Sequence, residues 1–148
     1  MHGTFLKSLE TMAVHVNAKI IVGTFTYNKF AFSNLDGDDW YDPKIAKYIL
    51  DEPAILADGL LWCGELNINP TASNPLSGLQ SYAKGDSAIV PHVKVQLESL
   101  PTHKTLPVRM MYTTGTVTKR NYVQKKAGQK ASFHHIFGAL LVEVEHLS

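Results

Sequence analysis

Short runs of branched and aromatic side chains, held apart by long polar connections, constrain this chain more than any other feature. Lys19–Tyr27 (KIIVGTFTY), Gly59–Ile68 (GLLWCGELNI), Ser87–Pro91 (SAIVP) and Pro107–Gly115 (PVRMMYTTG) are too short and too apolar for surface helices, so each reads as a strand. The connections between them are longer than the about two to five residues of a hairpin loop, so they can carry the chain across a sheet and leave neighbouring strands parallel. Ile136–His146 (IFGALLVEVEH) begins as an apolar run and then alternates, the pattern of a strand leaving a buried sheet. His92–Leu106 fits either a short helix or an extended edge in its first part.

Two helices are expected on the flanks. Thr4–Asn17 places Phe5, Leu9, Met12, Ala13 and Val16 at helical spacing behind a capping Thr4. Pro43–Glu52 starts with proline in its first turn and Asp42 as its cap. The architecture implied is a single α/β domain over residues 1–148, with a mostly parallel or mixed central sheet of about five strands flanked by helices.

At 148 residues the chain is long enough to bury one core, and 45% hydrophobic against 18% charged content excludes global disorder. The lone cysteine, Cys63, excludes an intrachain disulfide; inside GLLWCGEL it reads as a buried, inert thiol in a reducing compartment. No apolar stretch reaches the about 20 residues that span a bilayer, and MHGTFLKSLE lacks the order of a secretion signal. A soluble, cytoplasmic protein with no membrane partner is expected.

The formal charge of +1 conceals segregation: residues 1–65 carry nine acids against five Lys or Arg, residues 66–130 two against nine, and residues 131–148 two against none. Such asymmetry points to a surface for polyanions. In open α/β sheets ligands sit beyond the carboxyl ends of the strands. Here those exits are Thr26–Asn28, Asn67–Thr71, Pro91–His92 and Thr113–Thr116, all polar. Thr113, Thr114 and Gly115 offer hydroxyls and close backbone approach to a phosphate or sugar, with Asn69 to set position. Lys119, Arg120, Lys125, Lys126 and Lys130 follow, with Tyr122 among them: charge for phosphates and a ring for a base. Neither GxxxxGK[ST] nor GxGxxG occurs.

His92, His134 and His135 are candidates for general acid or base duty, with Glu65 or Asp86 as carboxylate partner. If the last strand is parallel to the third, His92 lies at the opposite end from the His134–His135 pair; an antiparallel last strand or a curled loop would bring them together. No HExxH, HxH or DxH spacing supports a metal centre, so a divalent metal is an open expectation. LDGDDWYD fails the calcium-loop pattern and reads as a turn pinned by Trp40 and Tyr41.

NINPTASNPLSGL, AIVPHVKVQLESLPT and MYTTGTVTKRNYVQKKAGQKASFHHIFGALLVEV, together with GTFTYNK and WYDPKI, resemble a set of bacteriophage and prophage proteins without an assigned function. The resemblance implies a protein of the infected host cell. It also implies longer relatives that continue past the equivalent of Glu145 into a region similar to calcineurin-like metallophosphoesterases, so the chain can be the N-terminal part of a larger product. The readings that follow are binding of nucleic acid or a nucleotide at the strand ends, a phosphoesterase or nuclease half-site built on the histidines, and an interaction module acting on a host protein.

Overall fold

In the computed structural model, residues 1–25, 42–119 and 126–145 are described. Helix α1, Gly3–His15, follows the expected periodicity but starts two residues earlier than the Thr4 cap implied. His2 is the cap, its Nδ1 accepting the Phe5 N–H at 3.2 Å. Leu6 is buried with Ile45 and Val117, and Phe5, Leu9 and Tyr48 close over them. The Tyr48 hydroxyl donates to Glu10 at 2.8 Å, which ties the helix to the following segment.

Helix α2, Pro43–Ala46, is shorter than expected. Asp42 caps it by accepting the Lys44 N–H at 2.9 Å. The chain then turns extended, because Val22 N–H donates to Tyr48 O at 2.8 Å and Leu50 N–H to Val22 O at 2.9 Å. The strand expected over Lys19–Tyr27 is thus a single parallel bridge, Val22 to Ile49, among the described residues. Thr26, Tyr27 and the Asp-rich loop lie outside them.

The sheet has five strands: β1 Pro53–Ala57, β2 Leu60–Cys63, β3 Ser87–Val90, β4 Leu97–Leu100 and β5 Arg109–Thr113. Their spatial order is β1-β2-β3-β5-β4, with β2, β3 and β5 mutually parallel and antiparallel strands at both edges. This is the mixed α/β sheet anticipated. Strand β1 is an addition, since Pro53–Ala57 lies between the helix expected over Pro43–Glu52 and the strand expected from Gly59. Pro53 cannot continue a helix, and Asp58-Gly59, with Gly59 at a φ of 79°, turns the chain into an antiparallel hairpin with β2. The ambiguous His92–Leu106 segment resolves as the extended edge, β4. Cys63, Ala88, Val90, Leu100 and Met111 form the core with Leu76 and Ala83 from the β2–β3 connection.

Because β4 pairs on the far side of β5, the β3–β4 connection crosses the C-terminal end of β5. The Thr113 hydroxyl holds that crossing, donating to Lys94 O and accepting from Gln96 N–H, both at 2.6 Å. The continuation of β5 must therefore turn aside, and Gly115 does so at a φ of 76°.

Two further corrections concern the C-terminal part. The basic segment expected to be a loop contains helix α3, Lys126–His134. Lys, Gln and Ala favour that conformation, and Gly128, Ala131 and His135, three and four residues apart, give it a buried face. Among the described residues, the strand expected over Ile136–His146 does not form. Only Ile136–Gly138 pairs: Ile136 N–H donates to Val93 O at 3.0 Å, Thr116 N–H to Ile136 O at 2.9 Å, and Gly138 N–H to Thr116 O at 3.2 Å. These residues lie between the diverging ends of β3 and β5, which leaves no ladder for the residues after them. Phe137 fastens the wedge, its ring 4.6 Å from that of His2 and 5.5 Å from that of His135.

A Cβ on Gly115 would stand 3.0 Å from Gly138 Cα and 3.1 Å from Ile136 O, on a backbone already in the left-handed region. On Gly138 the nearest atom would be Thr114 O at 3.4 Å. Gly115→Ala is expected to cost about 1–3 kcal/mol and Gly138→Ala much less. Urea midpoints of the two variants check this, equal losses being the outcome that contradicts it.

Candidate functional site

The carboxyl ends of β3 and β5, the loop after β2 and the end of α3 meet on one rim. Thr113 is 1% exposed, and both directions of its hydroxyl bonding serve the crossing described above. Thr114 Oγ1 donates to Gly115 O at 2.7 Å and accepts the His92 N–H at 3.3 Å, spanning the gap where β3 and β5 part. Thr116 and Thr118 pair their hydroxyls at 2.9 Å. Asn69 Oδ1 accepts from the N–H and hydroxyl of Thr71 at 2.9 and 2.8 Å, closing a local turn. These hydroxyl and amide groups hold the loops in place.

His92 is 3% exposed. Its Nδ1 accepts the Lys94 N–H at 3.0 Å, so that nitrogen carries no proton. The proton is therefore on Nε2, which donates to Asn69 O at 3.0 Å. Burial pushes this imidazole below its ordinary range, with the charges of Lys94 and His134 acting in the same direction. His135 is 1% exposed, and its Nε2 donates to Thr118 O at 2.6 Å. Both rings join loops from different parts of the chain.

His134 differs. It lies half-buried at the end of α3, and its titration is lowered first by burial and then by the positive charges of Lys94 and Lys130. The curled segment thus brings His92 and His134 to the same end of the sheet. Lys94 anchors its ammonium on Ser73 O. Lys119, Lys126 and Lys130 are exposed. Arg120, Tyr122 and Lys125 fall outside the described residues.

Glu65 is not joined to the histidines. Its Oε1 accepts the Tyr82 hydroxyl, and its Oε2 is buried without a hydrogen-bond partner. That bond, ahead of burial, pushes the Tyr82 phenol up to about 12. Burial, then the Glu65 charge, pushes the Cys63 thiol up to about 11, so Cys63 is the inert thiol the sequence implies. Asp86 is exposed. Among the described residues no three His, Cys, Asp or Glu side chains stand close enough to hold a metal ion, and no helix is long and apolar enough to cross a membrane.

Sequence reasoning missed two rim residues, Lys94 and Phe133. Lys94 follows His92 by two positions at the exit of β3, a signal present in VPHVK. Phe133 becomes visible only once Lys126–His134 is known to be helical.

Fold and rim together describe a small domain with a mixed α/β sheet, in which Lys94 and the end of α3 lie at the carboxyl ends of the parallel strands. The chain is 41% identical over 150 aligned residues to Protein A1 of Escherichia phage T5, across 97% of this chain and 27% of that protein. It is therefore similar to a phage protein, and spans only about a quarter of that relative's length, as the resemblance to longer phage proteins implied. Neither this match nor the described residues bring a metallophosphoesterase feature with them. No protein-family model matches the chain, and no solved structure matches it.

His92 lets stability follow pH with a definite sign. Its native titration lies below the 6.5 of a free imidazole, so between those two values the unfolded chain binds more protons than the folded one. Stability is complete above about pH 6.5 and falls as the pH drops toward the native value. Urea midpoints measured between pH 8 and pH 5 should decline on the acid side, and His92→Gln should flatten that decline while costing about 1–2 kcal/mol at pH 8. An unchanged acid slope in the variant would contradict the assignment.

Proposed function

We propose that this domain binds nucleic acid through the cationic rim at the ends of its parallel strands. One observation carries the reading: Ile136 N–H donates to Val93 O at 3.0 Å, so the end of α3, the helix that bears Lys130, lies beside the exit of β3 that bears Lys94, although the two are distant in the chain. Like charges brought together this way repel unless a polyanion offsets them. Lys119 and Lys126 are exposed as well. Arg120 and Lys125, between them in sequence, add two cations, and Tyr122 a ring. Thr113, Thr114, Gly115 and Asn69 contribute as scaffold, holding the crossing and the loops, while the long side chains reach the phosphates. A nucleotide is the smaller guest with the same phosphate chemistry.

Fluorescence anisotropy with a labelled oligonucleotide at about 50 and 200 mM salt tests the reading, since each phosphate neutralised adds about 0.7–0.9 to the slope of log affinity against log salt. The double variant Lys94→Glu, Lys130→Glu should weaken binding about tenfold or more and make that slope shallower. Wild-type protein with no affinity at the lower salt, or with affinity indifferent to salt and to both substitutions, refutes it.

A further inference from the structure

Helix α3 divides cleanly into two faces. Gly128, Ala131 and His135 point into the domain, and Ala131 and His135 are almost wholly buried. Lys126, Lys130, Phe133 and His134 recur at spacings of three and four on the other side, within about a third of the helix circumference. Phe133 is 82% exposed, an unusual state for a phenyl ring on a helix that has a core to face. The ring is not loose: its centroid lies 5.2 Å from that of His134, with the two planes at 75°. Packing edge to face in this way keeps a broad apolar face open to solvent.

On the basis of the nucleic-acid reading above, we infer that the preferred ligand is single-stranded and that Phe133 is the platform on which one of its bases stacks. A duplex hides its base faces inside the helical stack, so an exposed phenyl ring gains nothing from it. A single strand presents those faces, and aromatic rings set among cations are how sequence-tolerant binding to such strands is achieved. Lys130, one turn before Phe133 on α3, and Lys94, which follows the Val93 whose carbonyl accepts the Ile136 N–H just beyond that helix, supply charge for the phosphates that flank the stacked base. The charge complementarity favours this occupant over an apolar protein surface, which would have to desolvate the same lysines.

Anisotropy with a labelled oligothymidylate of about 20 nucleotides and with a duplex of equal length separates the possibilities. The single strand is expected to bind more tightly. Phe133→Ala should weaken it about tenfold, in line with the loss of one stacked base, while leaving duplex affinity and the salt slope alone. Phe133→Trp should restore or improve it. The ring supports no core, so thermal melts of both variants are expected to match the wild type. Undiminished single-strand affinity in Phe133→Ala, with Lys94→Glu, Lys130→Glu still defective, overturns the stacking role and leaves the nucleic-acid reading standing. No binding by the wild type to either oligonucleotide defeats both. Sedimentation in which Phe133→Ala abolishes self-association without touching strand affinity reassigns the face to a second copy of the chain.

Discussion

The connection between β3 and β4 must pass over the end of β5, and a single buried hydroxyl makes that passage possible. Edge strand β4 lies beyond β5 in the sheet, so residues 91–96 run across a strand end whose backbone groups would otherwise be left to water. Thr113 turns this conflict into three bonds: its N–H donates to Gln96 O at 3.0 Å, and its hydroxyl serves Lys94 O and Gln96 N–H. A valine of the same shape would fill the space yet orphan two buried backbone groups, at about 1–3 kcal/mol each. The crossing also decides where charge goes, since Lys94 rides on it to the strand ends.

A second consequence is that β5 cannot continue straight, and the chain after Gly115 leaves the sheet beside the chain after β3. The gap between them is closed by residues more than twenty positions downstream. Ile136 bonds Val93 on one side and Thr116 on the other, and Phe137 is held by rings from both α1 and the end of α3. The N-terminus joins the same knot, His2 N–H donating to Val117 O at 2.6 Å. Because α3 runs directly into this wedge, its cationic face stands where Lys94 emerges. The convergence of charges is thus a property of the topology, not of any local basic motif.

Much of the sheet was legible because burial on both faces leaves a plain mark: SAIV and MMY are continuous apolar runs, and each is a central parallel strand. PAILA was not legible as a strand: it is five residues long and sits between the helix expected over Pro43–Glu52 and the strand expected from Gly59. IFGALLVEVEH carries a strand pattern that is real and unused. Strand propensity needs a free ladder beside it, and here pairing ends at Gly138, which no local reading of the sequence could reveal. For α3 the obstacle was different: its buried face is made of Gly128, Ala131 and His135, too small or too polar to register as hydrophobic periodicity. Phe133, the one bulky apolar residue of that helix, faces outward and misleads any search for a core.

The candidate site was half legible for a related reason. Threonine, asparagine and histidine at strand exits look equally suited to a ligand and to a turn, and only coordinates say which. In this fold, short side chains close to the backbone are consumed by the backbone. Thr113, Thr114, Thr116, Asn69, His92 and His135 all bond to main-chain groups or to each other within the knot. Lysine cannot be spent that way cheaply, because ordering its long stem costs side-chain entropy and burying its ammonium costs more. Cations at a loop-rich strand end therefore stay outside while the polar residues between them are drawn in. The same sorting leaves Phe133 exposed: the interior of the knot is already filled by Phe137 and two imidazoles, so a fourth ring is left on the outer face of α3. An aromatic ring excluded from the core, on a helix whose Lys126 and Lys130 are also exposed, is the surface that this packing produces.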